Sequence, residues 1–273
     1  MLKKKLNNMR KTGLLILLIG FFTGIKAQDF EVAPVVLNFS LDPGESETRK
    51  INITNHSSEK NTFELKIYDF EKTPDGKKQT LPAGTSSHSL ADWLNVNPAM
   101  IELNPNETKS VEVTLSVPKG ETGTKWAMIA VQQVKEQEFS EIDKKLAAGV
   151  IVVPRIAVVV TQSSKSNTNW AGKIENIQQV STEKDSIRLF KARVINTGDK
   201  IINGKVYLAV ANINTGEEKE YPPVRVKLFP GESKEVTLQL KDELEPGRYA
   251  VAAIFDYAPN KALEGTQMIM DVK

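Results

Sequence analysis

Two histidines, no cysteine and one long run rich in branched residues are the raw material for any chemistry in this chain of 273 residues. His56 sits in an Asn55-His56-Ser57-Ser58 turn and His88 in a serine-rich loop, neither with an acid or nucleophile at a recognisable spacing. Both read as solvent-exposed turn residues. The lack of cysteine excludes a disulfide scaffold, a thiolate metal site, a cysteine nucleophile and a lipid-modified cysteine. Asp69, Glu71 and Asp75-Gly76 open like a calcium loop, but the alternating acidic series and its closing Glu are missing, so a glycine turn is the expectation. There is no glycine-rich phosphate loop and no Gly-x-Ser-x-Gly elbow. The sequence therefore predicts no enzyme, no cofactor and no metal.

The run at 150–160, Val-Ile-Val-Val-Pro-Arg-Ile-Ala-Val-Val-Val, is the departure that asks for an explanation. A strand with one wet face should alternate apolar and polar residues. Here Val150, Val152, Ile156, Val158 and Val160 suit a core, yet the opposite face of Ile151, Val153, Arg155, Ala157 and Val159 is also mostly apolar. Something should cover that face. One candidate is the rest of the chain, through a second domain or the segment 136–148. The other is a partner's strand or peptide laid alongside, since Pro154 has no N–H to donate and suits an edge strand. Ile151, Val153, Arg155 and Val159 are the candidate partner-binding residues.

The elements that would position this strand follow from period-2 alternation. Leu65 and Ile67, Val111 to Val117, Val224 to Leu228 and Val236 to Leu240 each alternate with polar neighbours between Pro, Gly and Asn turns. No window keeps helical periodicity beyond two turns, and a short helix fits only at Ser89–Leu94. A turn recurs three times, as Asp42-Pro43-Gly44-Glu45, Asn104-Pro105-Asn106-Glu107 and Phe229-Pro230-Gly231-Glu232. Pro presets φ at its second position, and Gly or Asn accepts positive φ at the third. An aromatic strand, Trp126 to Val131 or Tyr249 to Ile254, begins 21 or 19 residues after the second and third copies' prolines. Upstream, strands ending in Asn55 and Asn196 correspond, with 50 and 34 residues from that Asn to the Pro turn. The surplus 16 residues fall around Glu71–Leu90 and read as an extra loop or hairpin. The fold class is all-β, with two tandem immunoglobulin-like antiparallel β-sandwich domains of about seven strands each. The bounds are 28–162 and 170–273, joined by a flexible polar linker at 163–169. Pro246-Gly247-Arg248-Tyr249 has the form of a tyrosine corner, with Trp126 taking that place in the first domain.

Charge is unevenly laid out. Residues 1–27 hold Lys3, Lys4, Lys5, Arg10, Lys11 and Lys26 and no acid, followed through Leu14–Ile25 by an apolar run and then by Ala27. That is the layout of a secretory signal peptide over 1–27, too short for a membrane span. The remaining 30 basic and 34 acidic residues leave the mature chain at −4. An acidic body whose lysine pairs, Lys77-Lys78 and Lys144-Lys145, lie in loops excludes nucleic acid as a partner. No later segment reads as transmembrane, because Pro154 and Arg155 break the longest apolar run. The chain is expected to be exported, to the periplasm or the cell surface, and an export route without cysteine suits a bacterial envelope.

Phe30-Glu31-Val32-Ala33-Pro34-Val35, the Asp42-Pro43-Gly44 turn, Leu90-Ala91-Asp92-Trp93-Leu94, Asn104-Pro105 and a strand ending at Val117-Pro118 carry a family resemblance. They resemble the N-terminal domain of periplasmic pilus-assembly chaperones, and the peptidoglycan-binding first domain of WxL-interacting surface proteins. The resemblance spans about 28–162. The chaperones use a first-strand Arg and a last-strand Lys to hold a subunit's terminal carboxylate. Phe30–Ser40 has no basic residue, so the resemblance leaves Arg155 as the counterpart. The expected function is a non-catalytic, chaperone-like binding protein that captures a protein segment by edge-strand pairing. The alternative is a cell-wall or polysaccharide-binding module, for which Trp93, Trp126 and Trp170 would have to present their rings.

Overall fold

A computed structural model describes residues 29–72, 77–134, 154–181 and 187–273. The expected signal peptide at 1–27, the segment 136–148, and the candidates Ile151 and Val153 lie outside the described residues. The first part of the chain forms β1 (Phe30–Ala33), β2 (Val36–Phe39), β3 (Ser46–Asn55), β4 (Asn61–Lys72), β5 (Lys78–Leu81), β6 (Leu94–Asn97), β7 (Met100–Leu103), β8 (Thr108–Ser116), β9 (Lys125–Val134) and β10 (Arg155–Gln162). The second forms β11 (Gly172–Gln179), β12 (Arg188–Asn196), β13 (Ile202–Asn212), β14 (Glu218–Glu220), β15 (Val224–Leu228), β16 (Ser233–Leu240), β17 (Gly247–Asp256) and β18 (Glu264–Val272). The expected short helix is a single 3-10 turn at Ala91–Trp93, where the Ser89 hydroxyl accepts the Ala91 N–H at 3.1 Å. Among the described residues no helix is long and apolar enough to cross a membrane.

Two sheets face each other in each half, as alternation requires. In the first, β1-β3-β8-β6 packs on β2-β10-β9-β4-β5, with β7 beside β4. Inward residues such as Ile51, Ile53, Val111, Val113, Leu115, Ile129 and Val131 are fully buried between them. In the second, β11-β12-β16 packs on β14-β13-β17-β18, with β15 beside β13, around Phe190, Val194, Leu208, Leu238 and Phe255. The structure is all-β in two sandwiches.

The surplus sequence of the first half is a hairpin: β5 returns antiparallel on the end of β4, pairing Asp69–Lys72 with Lys78–Leu81. The buried Asp69 carboxylate anchors the loop that follows. It accepts the backbone N–H groups of Thr85 and Ser86 at 2.8 and 2.9 Å and the Ser89 hydroxyl at 2.7 Å. The acid that resembled a calcium ligand is a loop anchor.

Phe30–Ser40, read as one strand, is two strands in two sheets. β1 pairs antiparallel with β3, whereas β2 crosses over and pairs parallel with β10. Pro34 explains the break, because it cannot donate to the ladder.

The segment 163–169, expected to be a flexible linker, is bonded to both sandwiches. The Ser164 hydroxyl and the Ser166 N–H (3.0 Å) both donate to the Asp42 carboxylate. The Asn167 amide reaches the Thr122 carbonyl at 3.2 Å and the Asp199 carboxylate at 2.7 Å. Lys200 Nζ reaches the Ser164 carbonyl at 2.8 Å. Gly198 lets the chain close here: a Cβ on it would sit 2.5 Å from both Ala171 N and Asn169 O.

Candidate functional site

β10 is held differently along its two ends. On one side it pairs with β9 over its whole length, Arg155–Gln132 to Gln162–Lys125. On the other side β2 covers only Val159–Gln162. Among the described residues no strand pairs with Arg155–Val158 on that side. Among the described residues β10 is thus paired on one side over its first half and on both sides over its second, so the expected edge is open beside Arg155–Val158 and closed by β2 from Val159 onward.

The ladder shows which groups are open. The Val159 N–H donates to the Val35 carbonyl at 2.9 Å, and the Ser163 N–H to the Phe39 carbonyl at 3.3 Å. Every second residue of a strand sends its main-chain groups to the same side. Arg155 and Ala157 therefore aim their N–H and C=O at the uncovered edge. Val35 and Val36, where β2 begins, are 47% and 42% exposed beside it.

The side chains of this face fare unequally. Arg155 is exposed; its guanidinium lies 5.2 Å from the Tyr68 ring and donates to Gln132 Oε1 at 3.0 Å. Val159 is half-buried against a cluster of Phe70, Trp126, Met128 and Phe229, joined by Tyr68 and Ile201. Phe229 and Ile201 belong to the second sandwich, so that half of the face is covered from within the chain. The Phe229 ring meets Phe70 at 5.7 Å and Trp126 at 5.0 Å, both edge to face. Trp126 donates its indole N–H to the Phe70 carbonyl at 2.9 Å.

His88 departs from the reading of a solvent-exposed turn residue. Its ring stacks on Trp126 at 4.2 Å, and burial, then the Lys125 ammonium, hold its pKa below the usual histidine range. His56 is exposed, 3.1 Å from Glu31. Among the described residues no group of three metal-ligating side chains converges. The chemistry this site offers is main-chain pairing plus one guanidinium.

Sequence reasoning missed the aromatic junction. One signal was available: the third Pro turn begins with Phe229, where the other copies begin with Asp42 and Asn104.

No protein-family model and no curated protein matches the chain. Among solved structures, a chain from a chaperone–tip adhesin complex of CFA/I fimbriae biogenesis matches at 13% identity and a TM-score of 0.49. It covers 89% of this chain and 98% of that one. The class 5 fimbriae chaperone CfaA matches at 12% identity and a TM-score of 0.47, covering 89% and 99%. The E. coli chaperone DraB matches at 12% identity and a TM-score of 0.41, covering 89% and 98%.

Proposed function

We propose that this chain is a non-catalytic, chaperone-like binding protein of the bacterial envelope that captures an extended protein segment at the open half of β10. The observation that carries the reading is the pair of residues, Arg155 and Ala157, whose main-chain groups face the stretch of edge that β2 leaves unpaired. A guest strand laid there would continue the line of β2 and satisfy both residues. Alternate guest side chains would meet Val35, Val36 and, further along, Ile151 and Val153. Arg155, which makes no ion pair among the described residues, would receive a carboxylate of the guest. The basic, apolar leader supports export to the periplasm or the cell surface.

The test places a photo-crosslinker at Val35, exposed beside the open half of β10, in intact cells. The expected product is a crosslink to a protein segment with alternating apolar residues. Ala157→Pro, which deletes an N–H that faces away from β9, and the pair Ile151→Asp with Val153→Asp should each abolish it at unchanged melting temperature. Crosslinking that survives all three changes, or that reaches only peptidoglycan, defeats the reading; the latter would install the cell-wall alternative.

A further inference from the structure

The junction between the sandwiches gathers positive charge on a chain whose body is net acidic. Lys78, expected in a loop, opens β5 and sits 5.1 Å over the Phe70 ring. Lys227, on β15, sits 5.6 Å over the Phe229 ring, and the two rings touch edge to face. The two ammoniums thus converge from different sandwiches onto one aromatic pair. Burial, then Lys72 and then Lys227, pushes the Lys78 pKa down. Glu232, in the same Pro turn as Phe229, is itself buried, 3.8 Å from Lys72.

Lys227 also belongs to an open groove of about 650 Å³ on the second sandwich. Its cations are Lys205, Arg225 and Lys227, and its one acid, Asp256, is engaged by Lys205 at 3.3 Å. Arg225 makes no ion pair among the described residues. Gly204 lets the chain at Asp256–Tyr257 cross in backbone contact, since a Cβ there would lie 2.7 Å from the Asp256 carbonyl oxygen. Beside the cations the groove is walled by Val226, Ala258 and Pro259.

We propose that this track, from Lys78 across Lys227 to Arg225, binds an acidic peptide segment of a protein partner. Three cations that form no ion pair among the described residues repel one another, and a ligand bearing two or three carboxylates relieves that repulsion on docking. The apolar wall beside the cations suits a peptide, whose side chains include both kinds. An acidic sugar would ask for a presented ring face, and Tyr257 is 9% exposed. The track is built on β5 and β15, apart from the β10 edge, and does not depend on the reading of that edge.

The probe is hexaglutamate, titrated into the purified protein at low salt with tryptophan fluorescence as readout, because Trp126 lies 5.0 Å from Phe229. Hexaglutamine, sodium phosphate and polygalacturonate are the comparison ligands. Hexaglutamate should bind, hexaglutamine should not, and affinity should fall as salt rises. Lys78→Gln with Lys227→Gln should weaken binding about tenfold with the melting curve unchanged, and Arg225→Gln alone about threefold. Binding that these variants leave untouched overturns the proposal. So does preference for phosphate or polygalacturonate over hexaglutamate, or no response to any of them.

Discussion

The two sandwiches use one device to fasten their edges and then diverge at one aromatic position. Asn55 and Asn196, 0% and 1% exposed, end corresponding strands. Each amide donates to the carbonyl four residues on, Glu59 or Lys200, at 2.7 Å, and to the carbonyl of Leu103 or Leu228 at 3.1 Å. Each side-chain oxygen accepts the N–H two residues on, from Ser57 or Gly198, at 3.1 Å. The Pro turn closes on the same Asn: Asn106 N–H bonds to the Asn55 carbonyl at 2.8 Å, and Gly231 N–H to that of Asn196 at 3.1 Å. In all three turns the Glu carboxylate caps the turn's first N–H, at 2.8 to 2.9 Å. The aromatic position then separates them. The Tyr249 hydroxyl bonds to the Glu245 carbonyl at 3.0 Å, a tyrosine corner that fastens the second sandwich to itself. Trp126 instead bonds to Phe70 and packs on Phe229, fastening one sandwich to the other. The scaffold repeats, and what differs is whether the aromatic closes its own domain or reaches its neighbour.

The sharpest way to break the likeness is at the two asparagines. Asn55→Ala and Asn196→Ala each strand several buried main-chain groups, and each should cost about 3 kcal/mol. Urea unfolding followed separately for each sandwich should show equal losses confined to the sandwich that carries the change. A loss in only one would show that the shared bonds are not equivalent in energy.

Phe229→Ala tests the divergence. It removes the ring on which Phe70 and Trp126 meet, and should cost about 2–3 kcal/mol of coupling while leaving both cores intact. Calorimetry should then resolve two transitions closer to independent unfolding than in the parent. Tyr249→Phe should lose about 1 kcal/mol, from the second sandwich alone, because only the corner bond goes. A matching change in the first sandwich's unfolding would contradict the assignment of that hydroxyl to local closure.

The scaffold was legible in the sequence because alternation and turn chemistry are local. The Pro turns, the two Asn strand ends, the extra hairpin and the Tyr249 corner all announce themselves within a few residues. What the sequence could not show is relational. Whether residues 150–160 have a neighbour depends on where Pro34 sends β2, more than a hundred residues away. The cover over Val159 depends on Phe229 arriving from the other sandwich. The polar run 163–169 looks free until Asp42 and Asp199 are brought beside it. Lys78 reads as a loop lysine until Lys227 stands opposite. The odd Phe at the head of the third turn was a clue of the right kind: a repeat's exception marks what the copies do differently.

That contrast extends to the first Pro turn, and to the smallest effect expected. Asp42 heads its turn as Asn104 and Phe229 head theirs, and its carboxylate ties the first sandwich to the connecting segment. The hydrogen bonds from Ser164 and the Ser166 backbone lower its pKa from 3.8 to about 2. A carboxyl depressed on folding contributes stability above its unfolded pKa and loses it as pH falls through the folded value. The window therefore opens near pH 4 and closes near pH 2, with the bonded linker favoured on the alkaline side. The melting temperature of the parent should fall more steeply across that window than that of Asp42→Asn, which keeps an acceptor but cannot titrate. Because Asp42 is solvent-accessible, the difference should shrink in high salt, whereas the Asn55 and Phe229 effects should not. Equal slopes for parent and Asp42→Asn would mean that Ser164 and Ser166 do not hold the carboxylate in solution, and that the linker owes its order to the bonds of Asn167 and Lys200 instead.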